Sequence, residues 1–188
     1  MIRKLTPKDY TTASWSGGTT TQIGIFPPEA RYGDRDFLWR VSSARVELEE
    51  SDFTPLPDYD RYIATLEGEI LLTHNGGGPI PLKPLQVHRF SGGDRTRSRG
   101  RCTDFNLMLR RGRAEGSLEV LSPDRSPQAL TCGPGETLVL YCARGSCALK
   151  GADGAWECSP GEALLATGPR TLTLSGPAAL LVCRIRLS

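Results

Sequence analysis

Apolar residues in this chain come in short runs, and most of the runs alternate with polar positions. Thr20–Phe26, Leu38–Ser42, Ile63–Leu66, Ile70–Thr73 and Thr103–Leu109 lie in the first part of the chain. Thr137–Cys142, Ala163–Ala166, Thr171–Leu174 and Ala179–Ile185 lie in the second. Each run is of strand length and is closed by turn-forming residues. No window of about 11 residues keeps a helical period between caps. Only a short helical turn is expected, near Pro7–Tyr10. The pattern predicts an all-β protein with sandwich or barrel geometry.

The strands repeat. Leu66–Leu72 reads as strand, tight turn at Gly68, strand, and Pro84 follows 16 residues after that glycine. Ala143–Leu149 has the same rhythm around Gly145, with Pro160 following after 15 residues. The offset between the copies is 77 residues at the glycines and 76 at the prolines. A glycine turn and a proline turn at this distance resemble the rhythm of a cupin barrel, a small jelly roll. The repeat therefore suggests two cupin-like halves: an N-terminal barrel over 1–115 and a C-terminal barrel over 116–188. A connection is expected across Arg113–Gly116 and Ser122–Pro127.

Composition agrees with many turns. The chain has 21 Gly and 14 Pro in 188 residues, well above the usual combined share of about 12%. A net charge of +2 is too small to call for nucleic acid. No apolar run approaches the roughly 18 residues of a membrane span, and the start has no secretory signal, so a cytoplasmic location is expected. The six cysteines show no C-x-x-C spacing and have no histidine nearby, which argues against zinc. They are either buried thiols or, for Cys142 with Cys147, a redox pair.

Metal-binding cupins place His-x-His, a Glu and a further His at fixed distances from these turns. Here those positions hold Pro55, Pro57, Arg61 and Arg89, with His88 one place short of the last. In the second copy Leu138 and Leu164 stand there. Proline and leucine cannot ligate, and a guanidinium repels a divalent ion, so no metal and no cofactor are expected. An arginine pointing into a barrel needs a counter-charge. It is either a ligand carboxylate, which suits the guanidinium fork, or Glu67, Asp60 or Asp104.

Several segments in order carry a family resemblance. They are Trp15–Ile23, Pro27–Pro28, Asp36–Ala44, Phe53–Arg61, Leu66–Gly68, Phe90–Gly92 and Asp104–Arg111. Together they resemble the HutD/Ves family over residues 10 to about 112. The resemblance implies a bicupin of the RmlC-like type packed as one compact unit, associated with histidine utilisation. It also implies binding of a formylated or formimino glutamate rather than catalysis. Trp-Arg-x-Ser, Pro-x-x-Asp-Arg, Leu-Glu-Gly and Asp-Phe-Asn match the family directly. The N-terminal turn departs from it: glycine replaces the usual Asn, and Gln22 stands where Glu is usual.

Strand alternation orders the candidate ligand-binding residues. Arg40 and Ser42 share a face, as do Asp104 and Asn106, each facing either a pocket or water. Arg61, Gln22 and His88 complete the polar set, and Trp15 either lids the barrel or covers its end. Arg95, Arg97, Arg99 and Arg101 make one strand face basic, to be matched by the acidic run Glu47, Glu49, Glu50 and Asp52. Walker, Rossmann and G-x-S-x-G motifs are absent. The expected function is binding of a small anionic metabolite, with a metal-independent isomerase or hydrolase as the alternative. A homodimer through sheet edges is compatible with such barrels. Neither nucleic acid nor membrane is expected as a partner.

Overall fold

The computed structural model describes residues 1–123 and 126–188. The chain forms two compact units, Thr11–Ala114 and Met1–Tyr10 with Glu115–Ser188. It opens on β1 (Ile2–Leu5) and a 3-10 turn at Pro7–Asp9, where the sequence suggested one; a second 3-10 turn, at Tyr32–Asp34, was not expected.

The Thr11–Ala114 unit holds β2 (Thr11–Trp15), β3 (Gly18–Phe26), β4 (Trp39–Val46), β5 (Glu50–Asp52) and β6 (Tyr59–Glu67). It continues with β7 (Ile70–His74), β8 (Ile80–Leu82), β9 (Val87–Ser91), β10 (Thr96–Arg99) and β11 (Cys102–Arg110). Six strands form one antiparallel sheet in the order β2-β3-β4-β11-β6-β9, and four form another in the order β5-β10-β7-β8. Val46, Ile63 and Phe90 of the first sheet pack with Ile70, Leu72 and Leu82 of the second. This closes the barrel at one end. At the other, Phe37, Leu56, Tyr59 and Met108 form a separate apolar cluster, with Phe37 stacked on Tyr59.

The second unit adds β12 (Ala114–Leu121), β13 (Gln128–Cys132), β14 (Glu136–Gly145) and β15 (Cys147–Gly151). It ends with β16 (Gly154–Cys158), β17 (Ala163–Thr167), β18 (Arg170–Ser175) and β19 (Ala178–Leu187). Its sheets run β1-β17-β14-β19-β12 and β13-β18-β15-β16. Each unit is thus a jelly roll, and the chain is an all-β bicupin. Two expectations about the boundary change. The first ten residues run with the C-terminal unit, where β1 pairs with β17 from Ile2↔Ala166 to Leu5↔Ala163. The first part of the expected connection, Ala114–Gly116, belongs to strand β12, which pairs at the edge of its sheet. Asp124 and Arg125 of that stretch lie outside the described residues.

The repeat extends to individual hydrogen bonds. Leu85 N–H donates to Thr65 O at 2.8 Å in the first copy, and Gly161 N–H to Cys142 O at 2.9 Å in the second. Each acceptor lies three residues before the repeat glycine. Gly68 and Gly145 adopt φ of 80° and 69°. A Cβ there would fall 2.4 Å from Arg101 O and 1.6 Å from Pro177 O. Both turns therefore require glycine on two counts.

All six cysteines are buried free thiols, so the Cys142–Cys147 redox pair is not formed. Cys142 Sγ instead contacts the carbonyl oxygens of Arg144 and Gly145, and Cys147 Sγ that of Ala148. The basic run is matched in part: Arg97 pairs with Asp52 and Glu50, and Arg101 with Glu49, whereas Glu47 pairs with Arg45. Among the described residues, no helix is long and apolar enough to cross a membrane.

Candidate functional site

Pairing register builds the site. On the six-stranded sheet Gln22 sits opposite Ser42, Ser42 opposite Asn106, Asp104 opposite Thr65, and Met108 opposite both Arg40 and Arg61. Directly opposed residues in antiparallel strands point to the same face. Gln22, Arg40, Ser42, Arg61, Asp104 and Asn106 therefore share the inner face, and all except Gln22 are under 7% exposed. The solvated outer-face alternative for Arg40 and Ser42 does not hold.

Arg40, Ser42, Arg61, Asp104 and Asn106 border a cavity of about 210 Å³, with Trp15, Tyr32, Phe53, Thr54 and Met108 also on its wall; Gln22 stands behind Arg40 and does not line it. That is room for about seven waters, or one small metabolite, and is below the usual volume for a drug-sized ligand. Trp15 is 40% exposed at this wall, with its ring over Gly17, where a Cβ would fall 2.1 Å from it. The Trp-Ser-Gly-Gly run thus seats the indole on bare backbone.

Two cations dominate the cavity. Arg40 donates from Nε to Gln22 Oε1 at 2.9 Å and from a terminal nitrogen to Ser42 Oγ at 3.0 Å. Its guanidinium lies 4.4 Å from the centre of the Tyr32 ring, a cation–π contact. None of these partners is an anion. Arg61 has only long contacts, 3.4 Å to Thr54 O and 3.5 Å to Asn106 Oδ1, and its buried Nε has no partner. Phe53 and Phe90 flank it at 5.1 Å. Burial pulls its pKa down to about 10, which leaves it cationic at neutral pH.

The carboxylates proposed as internal counter-charges are engaged elsewhere or held back. Asp60 lies on the other face and accepts from Arg89 and Arg111, both at 2.9 Å. Glu67 is exposed at the end of β6. Asp104 is buried in the cavity wall, and burial pushes its pKa up to about 7 against the pull of Arg61 and the Ala44 N–H. The site thus holds two buried guanidiniums and one buried carboxyl that burial drives toward its neutral form; the other carboxylate on the wall, Asp52, is exposed and paired with Arg97. A buried cation without a full counter-charge costs several kcal/mol.

The family model for HutD matches residues 7–182. The chain belongs to the HutD family. A search of curated proteins gives no match. Among solved structures it is similar to a conserved protein of unknown function from Pseudomonas aeruginosa PAO1, at 25% identity and a TM-score of 0.85. That alignment covers 100% of this chain and 99% of the other. HutD from Pseudomonas fluorescens SBW25, in a formate condition, matches at 23% identity and a TM-score of 0.82 over 100% of both chains. The bacterial pirin YhhW from Escherichia coli, in complex with nickel(II), matches at 10% identity and a TM-score of 0.68 over 98% of both.

The barrel interior of this HutD-family chain does not suit such a metal. Arg40 and Arg61 occupy it, and among the described residues no three His, Cys, Asp or Glu side chains converge. Arg89, expected at the last ligand position, points outward to Asp60, and the inward place belongs to His88. His88 is not among the cavity residues: its Nε2 meets His74 Nε2 at 2.9 Å beside Phe90. Reading β9 by parity separates His88 from Arg89, but nothing in the sequence reveals the His74 contact. Sequence reasoning also missed Tyr32, Phe53 and Thr54, which lie in or beside turns where alternation gives no direction.

Proposed function

We propose that the protein binds a small carboxylate metabolite in the N-terminal barrel, acting in the cytoplasm as a binding protein linked to histidine utilisation. The observation that carries this is Arg61, buried with an unpartnered Nε beside Arg40 in a cavity of metabolite size. A carboxylate docked on the Arg61 fork offsets its desolvation. Asn106 and the Asp104 carboxyl then offer acceptors for an N–H. A formyl- or formimino-glutamate-like ligand has both groups.

Calorimetry with glutamate, formylglutamate, formiminoglutamate, urocanate and formate tests this reading. Binding by the wild type and none by Arg61→Ala is the expected outcome; equal affinity in the two proteins would end it. The second reading is a metal-independent hydrolase or isomerase. It is favoured by Asp104, whose pKa near 7 suits a general acid or base. Turnover of a bound metabolite that disappears in Asp104→Asn, with binding retained, would select it.

A further inference from the structure

The sheet edges of the Thr11–Ala114 unit are not alike. β9 carries Arg89, ion-paired to Asp60, and β5 is three residues long with an acid at each end. β8 is also three residues long and holds Pro81. Charge, proline and shortness are ordinary means of keeping a sheet edge from pairing with another chain. β2, the remaining edge, has none of them. It runs Thr-Thr-Ala-Ser-Trp, and every residue of it is exposed. The register shows which backbone groups it leaves free. Trp15 pairs with Gly18 across a two-residue loop, so these two exchange hydrogen bonds. Alternation gives the same bonds to Ala13 with Thr20 and to Thr11 with Gln22. Thr12 and Ser14 therefore turn N–H and C=O outward, and among the described residues these groups meet no partner. Thr12 Oγ1 meets Thr21 Oγ1 at 2.9 Å, which agrees with a close pair that exchanges no backbone bonds.

From this edge we infer that β2 pairs antiparallel with β2 of a second copy of the chain, about a two-fold axis at Ala13. The register is self-complementary, as a two-fold interface requires. Thr12 sits opposite the partner's Ser14, and Ser14 opposite the partner's Thr12. Each pair exchanges N–H···O bonds both ways, so every outward group of the strand is used. Ala13 faces the partner's Ala13 in a close pair, with Cα atoms about 4.5 Å apart, where a methyl fits and a long side chain would crowd. No charge on the strand meets its like across the axis, because the strand has none. The candidate cavity is also touched. Trp15 stands on its wall, and the axis sets the partner's Thr11 opposite Trp15. The second copy thus contributes a residue beside the exposed indole. A five-residue edge buries less than the roughly 1,200 Å² of a standard stable interface, so the dimer is weak and follows concentration.

Sedimentation velocity of the full-length protein from about 5 to about 500 µM tests the pairing. The wild type should move from monomer toward dimer as concentration rises. Ser14→Pro removes an outward N–H and leaves the bonds to β3 intact, so it should stay monomeric throughout. A wild type that stays monomeric, or a Ser14→Pro variant that associates equally, overturns the dimer. If Ser14→Pro fails to fold, cysteine cross-linking with copper phenanthroline decides. All native thiols are buried, so an added exposed cysteine reports alone. Ala13→Cys lies on the axis and should give a disulfide-linked dimer. Ser14→Cys lies about 7–8 Å from its own copy, beyond disulfide reach, and should give at least tenfold less. Equal yields from the two variants, or no cross-link from Ala13→Cys, overturn the dimer.

Discussion

At the residue scale, the departure at Gln22 has an electrostatic consequence. Gln22 Oε1 accepts from Arg40 at 2.9 Å. A glutamate there would form an ion pair and cancel the charge that a bound anion needs. Gln22→Glu should raise the melting temperature and weaken carboxylate binding by about tenfold or more, read by calorimetry. Asp104 gives a pH prediction. Its pKa in the folded state is about 7 against an ordinary 3.8. Below the lower value both folded and unfolded chains hold the proton, and the stability is fully present. Between the two values only the folded chain holds it, so stability falls as pH rises toward 7 and levels off above. The loss should amount to a few kcal/mol. Denaturant melts from pH 4 to pH 8 should show that decline in the wild type and a flatter profile in Asp104→Asn.

At the element scale, the two strand–turn–strand units share one requirement. Gly145→Ala puts a Cβ 1.6 Å from Pro177 O at a φ of 69°. It should destabilise by well over 1 kcal/mol, measured by urea melts. The partner turn is uneven: Leu85 sits at φ 65° where the second copy has Gly161 at 86°. The left-handed conformation costs a non-glycine residue about 1–2 kcal/mol. Leu85→Gly should therefore cost little, less than Gly145→Ala by more than 1 kcal/mol in the same melts. Spacing made these turns legible because each depends on its own few residues. Edge strands β1 and β12 were not legible in this way, because an edge is defined by the neighbour it pairs with.

At the scale of the whole molecule, the two barrels differ in what fills them. Through the registers, Arg61 corresponds to Leu138, Asp104 to Leu180, Asn106 to Val182 and His88 to Leu164. Those four are at most 1% exposed in an apolar cluster. The second barrel is packed where the first is polar, so the candidate site belongs to one unit. Leu164→Ala should cost about 2–5 kcal/mol in urea melts without changing carboxylate affinity. Burial also pushes the thiols up, Cys102 and Cys158 to about 12 and Cys183 further. A thiol reagent should label none of the six in the native protein and all of them in denaturant.

By itself the sequence determined the class, the repeat and the family. Alternation, turn residues and motif spacing are local properties that persist in the unfolded chain. Motif spacing named Arg61, and period-two alternation, which sorts a strand into two faces, paired Arg40 with Ser42 and Asp104 with Asn106. Which face is dry, and whether a charge there has a partner, depends on strands far apart in sequence. Only the tertiary structure decided that Asp60 turns away to Arg89 and Arg111, that Asp104 is desolvated beside Arg61, and that His88 meets His74. Electrostatic partnership acts through space at a few ångströms, and the pairing register sets those distances.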